Sequence, residues 1–278
     1  MIDIHTHLHP PRLFAAIRRW FAERSGWDMQ AQPHEPADVA AVLRASGCER
    51  FVFCSYAHKP AMARELNAWL AQTARDLDRF GLPLATVHLD DEAYVDDLRS
   101  ALDDGCIGLK LHEDVQRLAA DDPRFAPVYR ELAARDAFVL VHAGPIPWQF
   151  DAGAGIGRIE RVLETHPTLD IVVAHFGTPD SAAYFELMDR YPNLHLDTTM
   201  IFAADSPMRG SLDLPSFRGS IEAHADRVLY GTDFPNVPYP YESESLGIAT
   251  LDLSPAVAHA VMHGNAARLI ARATHEGA

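Results

Sequence analysis

The first ten residues carry the plainest chemistry in the chain. From Ile2 the order is Ile2, Asp3, Ile4, His5, Thr6, His7, Leu8, largely apolar alternating with polar. In an extended strand alternate side chains share a face, so His5 and His7 project together with Asp3 behind them. Neutral imidazole nitrogens ligate zinc and its first-row neighbours, and one strand positions both rings at once. Two more histidines close apolar runs. His142 ends Phe138, Val139, Leu140, Val141, and His175 ends Ile171, Val172, Val173, Ala174, with Gly144 and Gly177 just beyond. A glycine there lets the backbone turn away from a crowded site. Asp233 closes the run from Val228 to Thr232 and offers a carboxylate able to bind a cation and accept a proton from water. Lys110 and His112 share a face of another run, and an unpaired lysine is costly to bury. Three roles suit Lys110: an ion pair with Asp3, a clamp on a substrate carboxylate, or a carbamylated lysine bridging two metals.

Groups so distant in sequence need a scaffold that gathers strand ends. Apolar strands are read at Arg50 to Ser55, Leu84 to Leu89, Ile107 to Leu111, Phe138 to His142, Asp170 to His175, Leu194 to Asp197 and Val228 to Thr232. With the opening strand these make eight. Helical spacing follows each, over Ala37 to Ala45, Ala61 to Arg79, Tyr94 to Leu102, Arg124 to Arg135, Gly157 to Thr165, Asp180 to Arg190 and Phe217 to Ala225, closing with Pro255 to Met262 and Ala266 to Ala273. Eight strand-helix units indicate the α/β class and a single (β/α)8 TIM-like barrel, in which chemistry sits where strands end. An open doubly wound sheet lacks its glycine-rich phosphate turn here. In a closed barrel the eighth strand adjoins the first, which sets Asp233 beside His5 and His7. Residues 10–36 are an insertion after the first strand, helical from Arg12 to Arg24 and able to cover a pocket mouth.

No linker, repeat or compositional break divides the 278 residues, so residues 1–278 read as one domain. With 24 Lys and Arg against 39 Asp and Glu, the formal charge of −15 repels phosphate backbones and anionic lipid, excluding nucleic acid and membrane surfaces as expected partners. Cys48, Cys54 and Cys106 lack paired metal-finger spacing and suit reduced thiols, hence a cytoplasmic protein without a secretory signal. A homo-oligomer is compatible with these features.

Taken together, His5 and His7, the GLKLH of Gly108 to His112, His142 in VHAG, His175 in AHFG and Asp233 in YGTDFP resemble the amidohydrolase superfamily. The ending GNAARLI, Gly264 to Ile270, is similar to the amidohydrolase-related branch that includes aminocarboxymuconate-semialdehyde decarboxylase. The resemblance implies a distorted barrel holding a divalent metal, with His5, His7, His142 and Asp233 matching the ligands. His175 matches the residue that joins the coordination or acts as acid/base beside it. TatD-type nucleases would carry a glutamate where Lys110 stands, and histidinol-phosphatase-like phosphoesterases end in DxH, whereas Pro235 follows Asp233 by two.

One metal is expected, zinc by default with manganese, iron or cobalt as alternatives, and a second only if Lys110 is carbamylated. The expected activity is hydrolysis of a small carbonyl compound, an amide, lactone or ester, by a metal-activated water. Asp233 would shuttle the proton and His175 orient the water. The alternative on the same ligands is non-oxidative decarboxylation of an unsaturated or aromatic acid, and a third is a barrel that only binds or scaffolds. Substrate contacts are assigned by position to Lys110, His112, Trp148, Phe176, Arg12 and His58, with Trp20 and Lys59 as further candidates for a substrate carboxylate.

Overall fold

The structure is a computed structural model that describes residues 1–144, 155–208 and 214–275. Its elements run β1 (Ile2–His7), α1 (Pro11–Ser25), α2 (Pro36–Ala45), β2 (Arg50–Cys54), α3 (Ala63–Asp76), β3 (Gly81–Pro83), α4 (Tyr94–Asp103), β4 (Gly108–His112) and α5 (Glu113–Gln116). They continue with α6 (Ala126–Ala134), β5 (Phe138–His142), α7 (Ile156–Thr165), β6 (Ile171–Val173), α8 (Ser181–Arg190), β7 (Leu194–Asp197), α9 (Leu214–Ala223), β8 (Val228–Leu229), α10 (Ser243–Ala249), α11 (Pro255–His259) and α12 (Asn265–Thr274). The strands pair in parallel as β1-β2-β3 and β4-β5-β6-β7-β8. Runs such as Phe138 to Val141 are apolar on both faces because a parallel sheet in this setting is covered inside and out.

Two seams join the sheets into a ring. At one, Ala85 bridges Leu109, with Ala85 N donating to Gly108 O at 2.8 Å and Lys110 N to Ala85 O at 2.9 Å. At the other, Ile4 N donates to Tyr230 O at 2.9 Å and His7 N to Phe234 O at 2.8 Å. The fold is a TIM-like barrel. Gly231 sits in this second seam because a Cβ there would lie 2.6 Å from Thr199 Oγ1 and 3.0 Å from His5 Cβ.

The barrel interior is filled by Ile2, Ile4, Val52, Cys54, Leu82, Leu84, Leu140, Val172 and Leu229, and α12 closes its N-terminal end with Ala266, Leu269 and Ile270. The larger apolar layer lies between strands and outer helices. At about 25 cal/mol per Å² these two layers supply the main stabilisation.

The third strand differs from the reading of Leu84 to Leu89. Its ladder covers Gly81–Pro83 and ends at the Ala85 bridge. Beyond that point a side chain takes over the strand partner's place: Asn67 accepts from Thr86 N at 2.8 Å and donates to Thr86 O at 2.9 Å. The helices α5 and α10 were not anticipated, and the C-terminal helices are joined by a π-type turn over Ala260–Gly264.

Candidate metal centre

A register shift in β1 builds the first half of the site. Asp3 lies opposite Phe51 and Thr6 opposite Phe53, so three steps on β1 match two on β2. This bulge places Ile4 and His5, neighbours in sequence, on the same inner side, and His7 follows them. Asp3 therefore does not stand behind the histidines. It is taken by Thr232 Oγ1 at 2.6 Å and by His5 N at 3.0 Å. The ion pair between Asp3 and Lys110 is accordingly not formed, and Lys110 Nζ lies 2.7 Å from His5 Nε2 instead.

His5, His7 and His175 are each fixed through one nitrogen and present the other. His5 Nδ1 is 2.9 Å from Asp197 Oδ2, and its Nε2 is 3.2 Å from Asp233 Oδ1. His7 Nδ1 is 3.4 Å from Cys54 Sγ, and its Nε2 is 2.8 Å from Asp233 Oδ1. His175 Nδ1 donates to Thr199 O at 3.0 Å, and its Nε2 is 3.0 Å from His142 Nδ1. His112 stacks on His142 with centroids 4.1 Å apart.

The backbone carries strain where these groups converge. β6 stops at Val173, and His175 (φ 58°) and Phe176 (φ 53°) adopt the left-handed region, as does Asp233 (φ 66°). Non-glycine residues there cost on the order of 1–3 kcal/mol and cluster at functional sites. The turn at His175 is held by Asp197 Oδ1, which accepts from His175 N at 2.9 Å.

Electrostatics favour neutral His5 and His112 rings and a charged His7 beside an anionic carboxylate. Burial and the Lys110 ammonium push His5 down to about 4. Burial, then His142 and Lys110, hold His112 well below the usual imidazole value. Burial also opposes charge on His7, yet Cys54 and Asp233 outweigh it and raise that ring to about 9. Burial opposes ionisation of Asp233, but His7 and His5 keep it well below the ordinary carboxylate range.

A cavity of about 40 Å³ is lined by His5, His7, Lys110, His112, His142, His175 and Asp233, with Phe21, Trp27, Tyr56, Met200 and Asn236 around them. Thus all five expected metal residues meet, and Lys110 and His112 join them. Other substrate assignments fall elsewhere. Phe176 is fully buried against Phe185, Phe202 and Phe217 in the outer core, because the left-handed turn sends it away from the cavity. Arg12 and His58 are exposed and do not line the cavity; nor do Trp20 and Lys59. Trp148 lies outside the described residues. Phe21 on α1 and Trp27 beyond it show that the insertion reaches the cavity.

Cys54, Tyr56, Asn236 and Asp197 were not singled out as site residues. Asp197 at the end of β7 had a signal in its position, and Asn236 in its place three residues after Asp233. The donor atoms of His5, His7 and Cys54 lie within 4.8 Å of one another. Cys54, however, is on the Nδ1 side of His7, away from Asp233, and acts as an acceptor that orients the ring.

A family model described as amidohydrolase matches residues 2–272. The chain belongs to the amidohydrolase family. No curated protein matches it. Among solved structures this amidohydrolase is similar to an uncharacterised TIM-barrel protein from Bordetella bronchiseptica, with 24% identity, 98% of this chain and 99% of that one covered, and a TM-score of 0.73. A probable 2-pyrone-4,6-dicarboxylic acid hydrolase from Acinetobacter baumannii, with citric acid bound, matches at 14% identity over 97% and 98% of the two chains, TM-score 0.70. A 5-carboxyvanillate decarboxylase from Novosphingobium aromaticivorans, complexed with manganese and 4-hydroxy-3-methoxy-5-nitrobenzoic acid, matches at 16% over 97% and 95%, TM-score 0.68. Hydrolases and decarboxylases thus share this amidohydrolase fold. Among the described residues no helix is long and apolar enough to cross a membrane.

Proposed function

We propose that the chain is a metal-dependent hydrolase of a small carbonyl compound that carries a carboxylate. One observation supports this above others: ring nitrogens of His5, His7, His142 and His175 converge with the Asp233 carboxylate in one cavity that also holds the Lys110 ammonium. The donor set fits a divalent cation, since His5, His7 and His175 are each oriented from behind by a carboxylate, thiol or carbonyl acceptor. His5, His7, His142 and Asp233 would hold it, with His175 adjoining. When bound, such an ion supplies Lewis acidity toward a carbonyl oxygen and acidifies water from about 15.7 toward about 7.

The chain's own groups then divide the work. Lys110 Nζ, 1% exposed and directed at the centre, grips the substrate carboxylate and offsets the cost of its own burial. Asp233 takes a proton from the attacking water as its oxygen bonds to the carbonyl carbon, then delivers that proton to the leaving group as its bond to carbon breaks. His175 orients the water and stabilises charge on the carbonyl oxygen. Phe21 and Trp27 limit solvent entry at the mouth.

Decarboxylation is the second reading, favoured by the same Lys110 cation and by the likeness to a 5-carboxyvanillate decarboxylase. A panel of carboxylated lactones, amides and aromatic acids, assayed with zinc or manganese for acid release and for carbon dioxide, separates the two. Acid release without carbon dioxide supports hydrolysis, and carbon dioxide without a new ionisable fragment supports the alternative. Neither product over a broad panel favours a non-catalytic barrel.

A further inference from the structure

Asp197 is fully buried at the end of β7, and its two oxygens serve two different segments of the centre. Oδ2 faces His5 Nδ1 at 2.9 Å. Oδ1 accepts from His175 N at 2.9 Å and from Thr199 N at 3.1 Å. We propose that Asp197 is a positioning residue that fixes the His5 tautomer and, through the same carboxylate, holds the left-handed turn that carries His175.

An ionised carboxylate has no proton to donate, so His5 must donate from Nδ1, and its Nε2 lone pair is left facing Lys110, Asp233 and the cavity. That is the tautomer a cation needs. The His175 turn is a second burden on the same group: with φ at 58° the residue's N–H is received by Oδ1, while its carbonyl accepts from Thr178 N at 2.9 Å and Thr178 Oγ1 at 2.8 Å. Asp197 thereby couples the first strand to the sixth. Thr199 Oγ1, 3.2 Å from His5 Nδ1, is the nearest substitute acceptor.

The inference rests on the metal reading above, and Asp197→Asn separates tautomer control from packing. The amide oxygen can keep the two backbone N–H donors, but its NH2 then faces His5 Nδ1 as a donor. The ring is driven to carry its proton on Nε2, where it blocks ligation. Asp197→Ala lacks that opposing donor and leaves Thr199 as acceptor. Zinc chloride binding, measured by chelator competition, should weaken roughly 10–100-fold in Asp197→Asn. Asp197→Ala should lose less affinity than Asp197→Asn, while its metal-free form melts lower because the turn is released. A role in packing alone predicts the reverse order.

Long-range 1H–15N spectra of the metal-free wild-type protein give an independent readout, needing neither a folded variant nor metal. His5 should appear as the Nδ1-protonated tautomer. A proton on Nε2, or zinc affinity unchanged in Asp197→Asn, overturns the assignment. Wild-type protein that binds no zinc but shows the Nδ1-protonated ring would refute the metal reading while leaving the tautomer assignment standing.

Discussion

His142 and His175 touch through ring nitrogens 3.0 Å apart, yet removing one should not resemble removing the other. His142 has been assigned to the ligand set, so His142→Ala should bring metal content close to zero by elemental analysis. His175→Asn should retain most of the metal and lose turnover by about 10²–10⁴-fold, the range for a general acid-base group. Full activity in His175→Asn would remove its role. Lys110 makes a different demand. Lys110→Met preserves length and apolar volume but removes the cation, so KM for a carboxylated substrate should rise by about tenfold or more while metal content holds, as seen by steady-state kinetics beside metal analysis. Loss of metal in that variant would revive a bridging carbamate.

At the scale of elements, the segment after β7 depends on a carboxylate lent by α10. Glu244 accepts from Ile201 N, Phe202 N and Ala203 N at 3.2, 2.8 and 3.0 Å. Burial pushes its carboxyl up to about 8 despite those three donors, from an ordinary 4.5. Between those values the folded chain keeps a proton that the unfolded chain has shed. The stability this group supplies is complete below about pH 4.5 and is lost as pH rises through about 8. Glu244→Gln should flatten that part of a plot of urea midpoint against pH; an unchanged slope would contradict the shift. The interior plug is simpler: Leu269→Ala on α12 should cost about 2–5 kcal/mol in urea unfolding, because it opens a cavity under β1 and β8.

Most strands were legible because a strand covered on both faces must be apolar up to its end, as Phe138 to Val141 is before His142. β3 was not, since Leu84 to Leu89 has strand composition while its ladder ends at Ala85 and Thr86 bonds to the Asn67 side chain instead. The bulge in β1 was hidden for a related reason. Register is a property of two strands, and alternation within one cannot show where its partner skips a residue. Phe176 was misplaced because composition does not announce a left-handed turn at His175.

Across the whole molecule, the ring of parallel strands brings His5, His142, His175 and Asp233 from nearly the full length of the chain to one end of the barrel, while α12 closes the other. The order of those residues was readable because a barrel gathers its strand ends at one face. Arg12 and His58, assigned by their positions just past the first and second strands, stand in solvent. Family membership agrees with the arrangement.

Anomalous diffraction at the zinc edge, from crystals grown with zinc, tests the central claim most directly. The predicted result is one strong peak at about 2.0–2.2 Å from ring nitrogens of His5, His7 and His142 and an oxygen of Asp233, with His175 adjoining. A peak elsewhere in the chain, or an empty cavity at saturating zinc, would contradict it.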